Sequence, residues 1–413
     1  MRVLMTNWLY YPEFCGGALQ SHRLARRLIN LGVNVEVLAG TDKLNLVGYG
    51  EVDGVPVIRV LRNKSTWRHK TAYAWEIFRY IYKNQKRYDV LHAHGFHAPV
   101  NLAAKATGIP LVQKITNQNV DDPVSVRKRK FGWFASTVYN WAKVIVPTSP
   151  LLENTCQTGL GAKKRYERLS NGVDTELFSP VSPADKAHIR NRLKISHDKI
   201  VLLTVGLVSH RKGIDSLIKA IYTLTETLDE DFMLWVIGPK QYAKGFGQYD
   251  KEVESFVKKI DKMISFYGLE DIVYFKQTQT HVHEYMQAAD IYIHPSRQEG
   301  QPNAILEAMS TGLPTVANNI PGITDEIIQT GKYGFLVNCE DTERFVAALK
   351  VMMRNPGLRE RMGKNARLEI LNNYNINDIA MKYLALYESL TQKKKFTFAR
   401  QPKQLTRRAN EIH

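Results

Sequence analysis

Short runs of apolar residues recur along the chain with amphipathic stretches between them, the pattern of buried strands alternating with helices. In the first half, Arg2–Thr6, Val33–Leu38, Val55–Leu61, Asp89–Ala93, Leu111–Ile115 and Val144–Pro147 read as strands, with helices over Gln20–Leu31, Ala72–Asn84 and Pro99–Ala106. The second half repeats the scheme with strands at Ile200–Val205, Met233–Ile237, Ile272–Phe275, Ile291–Ile293, Thr315–Ala317 and Gly334–Val337. Its helices are expected near Asp215–Leu224, Glu252–Phe266, Val282–Ala288 and Thr342–Met353. Strands without a polar face suit a parallel sheet covered on both sides, so two Rossmann-like α/β domains are expected.

The segment from Leu169 to Pro180, with an Asn171-Gly172 turn and a closing Pro180, reads as the crossing between them, and a polar helix follows near Pro183–Leu193. The expected organisation is a domain over 1–180, a second over 181–376, a helix over 377–390 that returns to the first domain, and a tail over 391–413. That tail carries seven Lys and Arg against one acid, Glu411, and is expected to be disordered. Open α/β sheets bind ligands beyond the carboxyl ends of their strands, so two facing domains make a cleft.

Length agrees: 413 residues exceed one ordinary core. Cys15, Cys156 and Cys339 are far apart and lack metal spacing, which points to a reducing, cytosolic compartment. No apolar run is long enough to span a membrane, and the N-terminus opens on a strand. The excess of 57 Lys and Arg over 40 Asp and Glu, a formal charge of +17, favours anionic partners. Zinc-finger spacing, an RNP-like aromatic motif and a heptad-backed basic region are missing from the sequence, so an anionic membrane surface is the expected partner and nucleic acid is not.

The chemistry concentrates around Glu299 and Glu307, two carboxylates with seven residues between them. Pro295 and Ser296 open a loop that holds the first. The second lies one turn inside a helix that Asn303 is expected to cap, with Pro302 suited to its first turn. A helix start offers free N–H groups to an anion, and neighbouring carboxylates accept hydrogen bonds from sugar and ribose hydroxyls. Upstream, Gly16-Gly17 sits where the first strand passes into a helix, either as a loop that lets backbone approach a diphosphate or as simple turn geometry. The spacing is not that of a dinucleotide fingerprint. After the Ile200–Val205 strand, Arg211-Lys212-Gly213 puts two cations before a helix, either to neutralise a leaving diphosphate or as solvated loop charge.

Gly16-Gly17, Asn171-Gly-Val-Asp174, Arg211-Lys212-Gly213, Ala289-Asp290 and Pro295-Ser-Arg-Gln-Glu299-Gly-Gln301-Pro-Asn303-Ala304-Ile-Leu-Glu307, in this order along the chain, resemble the retaining glycosyltransferases of family 4, with the GT-B fold. The resemblance reaches to about Leu390. It implies a nucleotide-sugar donor site of Gly16, Gly17, Arg211, Lys212, Glu299, Gln301, Asn303, Ala304 and Glu307, with Glu299, Arg211 and Lys212 as the catalytic group. Glu299 would hold the donor sugar, Glu307 the ribose, and Arg211, Lys212 and the Gly16 amide the diphosphate. No metal and no cofactor are implied; a UDP-sugar is favoured over a GDP-sugar. Two positions depart from the family pattern: Leu207 stands where an Arg is frequent, and Thr116 where a His is frequent.

On the acceptor side the resemblance points to His94, Thr116 and Asn117. His92 and His94 share a strand face with His97 close behind, and ordinary hydrogen bonding is favoured over a metal site; His281 and His283 are expected at a surface helix start. Arg127, Lys128, Arg129 and Lys130 precede Phe131 and Trp133, either as a membrane-contacting edge or as a core helix with solvated cations. The expected activity is transfer of a sugar to a glycan or lipid-linked glycan acceptor in surface polysaccharide, lipopolysaccharide or glycolipid assembly, by a cytoplasmic protein peripheral to a membrane. A scaffold subunit without turnover and a sugar-nucleotide epimerase are the alternatives. Glu299→Ala and Lys212→Ala are each expected to abolish most transfer with thermal stability nearly unchanged.

Overall fold

The computed structural model describes residues 1–13, 16–62, 67–129, 132–240 and 248–391. The first sheet contains β1 (Arg2–Asn7), β2 (Asn34–Thr41), β3 (Gly48–Val52), β4 (Val55–Leu61), β5 (Val90–His94), β6 (Leu111–Ile115) and β7 (Val144–Pro147). Their order is β3-β4-β2-β1-β5-β6-β7, and all neighbours run parallel except the β3–β4 hairpin. The second sheet contains β8 (Ile200–Val205), β9 (Phe232–Ile237), β10 (Val273–Lys276), β11 (Ile291–His294), β12 (Thr315–Asn318) and β13 (Gly334–Val337), all parallel in the order β10-β9-β8-β11-β12-β13. This is the architecture of two facing α/β units, the GT-B arrangement.

Alternate residues of each strand serve opposite cores. Val3 and Met5 pack on one side of the first sheet and Leu4 on the other; Val201 and Leu203 pack opposite Leu202 in the second. Helices cover both faces of the central strands, which is why β1, β5, β6, β7, β9 and β11 carry no solvent-facing polar stripe.

The hairpin strand β3 is absent from the periodicity reading. Its sequence, Gly48-Tyr-Gly-Glu-Val52, is an exposed edge with little apolar content. The turn that makes it is legible in retrospect: Asp53 and Gly54 both have positive φ, 48° and 80°, as a two-residue hairpin loop of the Asp-Gly kind requires.

The crossing segment does not turn at Asn171-Gly172; its turn falls at 175–177, where Phe178 N–H donates to the Asp174 carbonyl (2.9 Å). Val173 N–H donates to the Tyr374 carbonyl (2.8 Å) and Ile376 N–H to the Val173 carbonyl (2.9 Å), so the chain's two passages between the halves pair with each other. Gly172 is demanded by this approach: a Cβ there would lie 2.6 Å from Ile376 Cα. The helix Ile376–Thr391 then packs on the helix Gly16–Asn30, placing Ile379, Tyr383 and Tyr387 in the core of the first sheet. Residues 392–413, the basic tail, lie outside the described residues.

Candidate functional site

The loops after β8 and β11 are clamped together. Gly213 has φ of 65°, and a Cβ on it would lie 2.0 Å from the Pro295 carbonyl oxygen, so no other residue fits the helix start at Ile214. Arg297 N–H donates to the Arg211 carbonyl (2.8 Å), while the Arg297 guanidinium binds Asp215 at the start of that helix (2.8 Å). This packing delivers Arg211 and Lys212 to Glu299, which is only 6 % exposed.

One oxygen of Glu299, Oε1, accepts from Lys212 Nζ (2.5 Å) and from His294 Nε2 (3.0 Å); Oε2 lies 3.7 Å from Arg211 Nη1. Because a carboxylate only accepts, His294 carries its proton on Nε2 toward Glu299, leaving Nδ1 to face the Tyr292 hydroxyl at 3.3 Å. Burial opposes charge on Glu299, but the Lys212 ammonium, the His294 hydrogen bond and Arg211 outweigh it and hold the carboxyl well below its usual range. His294 escaped the sequence reading. Its signal was a polar residue closing an apolar strand five positions before Glu299.

The second carboxylate has a different partner. Glu307 Oε1 accepts from Arg23 Nη1 (2.5 Å), a residue of the first half on the helix Gly16–Asn30, whose guanidinium also lies 5.1 Å above the Phe178 ring. Nothing in the sequence separates Arg23 from its neighbours Arg26 and Arg27 on that helix.

Asn303 does not cap its own helix: Pro302 occupies the cap position, and no side chain accepts from the first turn. The Asn303 side chain is drawn across to the opposite half instead, accepting from Asn171 Nδ2 (2.8 Å) and donating to the Gly16 carbonyl (3.4 Å). Gln301 Oε1 accepts from Asn171 N–H (2.5 Å), and Ala304 packs half-buried on the second core. Gly16 and Gly17 are exposed at the head of their helix. Gly300 meets the first half directly: a Cβ on it would lie 1.8 Å from the Thr116 carbonyl oxygen. Thr116 and Asn117 are held by Asp121, which accepts from both backbone N–H groups and from the Thr116 hydroxyl; burial pushes this carboxyl up to about 6.

Asn171 also accepts from Lys114 Nζ (2.8 Å) on β6. Lys114 is 1 % exposed, lies over the Tyr383 ring and has no carboxylate partner among the described residues; burial pushes its ammonium down to about 7. Its folded value is thus below the ordinary value of 10.5, so between the two the unfolded chain binds more protons and stability rises with pH. We expect the melting temperature to climb from pH 7 to pH 9, and Lys114→Met to flatten that climb; an equal climb in both proteins would show that Lys114 does not titrate as argued.

His94 is buried with its ring 4.2 Å from that of His92, and His92 Nδ1 pairs with the Tyr387 hydroxyl at 2.6 Å. Burial pushes both rings well down, and His97 to about 4. The described residues that could group around a cation are His281, His283 and Glu284 at the start of the helix Val282–Ala288, and there Glu284 is paired with Arg192 (2.8 Å). Arg127 and Lys128 are exposed, and Arg129 donates to the Val120 carbonyl. Lys130 and the Trp133 side chain lie outside the described residues. No helix among the described residues is long and apolar enough to cross a membrane.

Two α/β units thus meet at a seam where Arg211, Lys212, the buried Glu299 and the helix that begins at Asn303 converge, in the GT-B fold. Residues 16–172 match the family described as Glycosyl transferase 4-like domain, and residues 185–369 the Glycosyl transferases group 1. The chain belongs to these family 4-like, group 1 glycosyltransferases. It is 24% identical over 322 residues to the Escherichia coli UDP-Gal:alpha-D-GlcNAc-diphosphoundecaprenol alpha-1,3-galactosyltransferase, covering 74% of this chain and 77% of that one. Among solved structures, sucrose-phosphate synthase from Thermosynechococcus elongatus superposes with a TM-score of 0.78 at 19% identity, over 95% of this chain and 99% of the other. Anabaena HepE in complex with UDP and glucose gives 0.76 at 19% identity, over 94% and 100%.

Proposed function

We propose that this glycosyltransferase moves a sugar from a nucleoside-diphosphate donor to a lipid-linked glycan acceptor, with retention of configuration and without a metal. The observation that carries the reading is the anionic Glu299, held by Lys212, His294 and Arg211 beside the point where Gly300 abuts Thr116. A buried acceptor-only group there suits donor-sugar hydroxyls, and the adjoining cations suit the diphosphate. Arg211 brings a guanidinium to the site despite Leu207. Glu307 keeps Oε2 for a ribose hydroxyl while Oε1 holds Arg23.

In this mechanism the acceptor oxygen bonds to the anomeric carbon on the face from which the diphosphate departs, and the acceptor proton passes to the departing phosphate oxygen. The protein supplies position and charge more than a base. A uridine donor is supported by the names of the E. coli relative and the Anabaena structure. The relative's diphosphoundecaprenol-linked acceptor supports a lipid-linked one here, in surface polysaccharide or lipopolysaccharide assembly. Arg127, Lys128 and the overall positive charge support contact with an anionic cytoplasmic membrane face.

Thermal unfolding with UDP and with GDP tests the donor site. A ligand at about 100 times its Kd adds roughly 2.7 kcal/mol, a shift of several degrees. We expect UDP to give that shift and Glu307→Ala to remove it, read as the difference between liganded and free protein because the variant also leaves Arg23 unpaired. No shift with either nucleotide would favour a scaffold that does not bind a donor.

A further inference from the structure

The helix Trp67–Lys83, which follows β4 in the first half, buries one face and exposes an aromatic one. Tyr73, Ile77 and Ile81 pack into the core of the first sheet. Arg68, Trp75, Arg79 and Tyr82 recur at the helical spacing that gathers them on the opposite, outward face. Trp75 is 59 % exposed and Tyr82 48 %, and the half-buried Phe78 ring lies between them, stacked on Trp75 (5.6 Å) and on Tyr82 (5.7 Å). Single apolar side chains at a surface are ordinary, but contiguous ones form a patch of the kind that marks an interaction site.

The neighbouring chain widens this patch. Val47 borders the same surface cavity as His69 and Ala72 of the helix, and the turn Leu44–Leu46 just before it carries Leu44, 76 % exposed. The charges around the rings are of one sign. Glu76, the acid of this helix, is taken by Arg79 (2.6 Å) and Glu36 by Arg87 (3.2 Å), which leaves Arg68, Lys70, Lys83 and Lys86 exposed with no carboxylate paired to them among the described residues.

This mixture selects its partner. Rings set among unneutralised cations suit the headgroup boundary of an anionic bilayer, where the rings enter the boundary and the cations meet lipid phosphates. A single-stranded nucleic acid would need aromatic faces free to receive bases, whereas these rings stack on one another. The position also fits. On the inner side of the helix the Tyr73 ring stacks on Trp8 (6.2 Å), which follows β1, and Trp8 Nε1 donates to the Phe96 carbonyl (3.2 Å) just beyond β5. The patch therefore flanks the carboxyl ends of β1 and β5, the end of a parallel sheet at which α/β proteins bind ligands.

We propose that the outer face of the helix Trp67–Lys83, with Leu44 and Val47, is the surface by which the protein docks on an anionic lipid bilayer: Trp75 and Tyr82 enter the headgroup boundary, and Arg68, Lys70, Lys83 and Lys86 lie on the lipid phosphates. Docked in this way, the protein keeps the carboxyl ends of β1 and β5 beside the bilayer, so a lipid-linked acceptor reaches the seam with its lipid still in the membrane. The inference rests on the membrane contact of the proposed function and moves its centre from Arg127 and Lys128 to this helix.

The test is co-sedimentation of the full chain with vesicles of equal parts phosphatidylglycerol and phosphatidylcholine, and with vesicles of phosphatidylcholine alone. We expect binding to the anionic vesicles, and Trp75→Ser/Tyr82→Ser to lose at least about tenfold of that affinity. Lys83→Gln/Lys86→Gln should lose about fivefold for each charge removed at low salt, and Arg127→Gln/Lys128→Gln less than either. All of these side chains are exposed, so the melting temperature and the nucleotide-induced thermal shift should match the wild type. Unchanged affinity in Trp75→Ser/Tyr82→Ser, or a larger loss in Arg127→Gln/Lys128→Gln, would overturn the proposal and leave the membrane contact of the proposed function standing. No binding of the wild type to anionic vesicles would remove both. A wild-type dimer that Trp75→Ser/Tyr82→Ser dissolves without change in vesicle binding would assign the face to a second copy of the chain, and would equally overturn the proposal.

Discussion

Glu299→Gln should lower sugar transfer by roughly 10²–10³-fold, the usual effect of removing one group that stabilises developing charge. It should also destabilise the protein, contrary to the expectation from sequence that substitutions here leave stability untouched. Glu299 and Lys212 are both largely buried and touch each other, and removing one member of such a pair strands the other's charge at about 3–5 kcal/mol. The double variant Glu299→Gln/Lys212→Met removes the stranded cation, so its melting temperature should recover while its activity stays lost. Initial rates with a labelled donor, together with melting curves of the three proteins, decide the matter. Near-normal transfer in Glu299→Gln would refute the site assignment.

The second large effect belongs to Gly300. Its backbone lies so close to the first half that a single methyl group would sit 1.8 Å from the Thr116 carbonyl oxygen. Gly300→Ala must therefore push the Glu299 loop away from Thr116 and Asn117, and a displacement of about 1 Å in a transfer site costs on the order of 10²-fold in rate. The nucleotide-induced thermal shift reports separately whether Arg211 and Lys212, which pair with Glu299 on the displaced loop, still hold the donor. The check is a comparison of transfer rate with nucleotide binding in the same preparation; full activity would mean that the two halves need not meet at Gly300 during turnover.

The contacts behind both effects are ones the sequence leaves open. The strand and helix pattern was legible because apolar spacing and turn chemistry act within a few residues: the polar helix after the crossing spans Pro183–Leu193 as its sequence suggests, and β8 spans Ile200–Val205. The exposed edge β3 was not legible, since an edge strand needs no apolar run. Asn303 illustrates the limit within the site. As a residue before good helix formers it reads as a cap, but Asn171 and Gly16 of the opposite half take its side chain. Local preference yields to a tertiary partner wherever the partner satisfies the same polar atoms.

By itself the chain's order of residues determined two α/β units, the loops that carry Glu299, Arg211, Lys212 and Gly16, and the family they resemble. Only the tertiary structure decided what each charge faces: Lys212 and His294 on Glu299, Arg23 on Glu307, and Lys114 on Asn171. The physical reason is distance along the chain. Glu299 and Lys212 are 87 residues apart and Glu307 and Arg23 are 284 apart, so their pairing depends on how whole sheets and helices pack, which no local pattern of residues records.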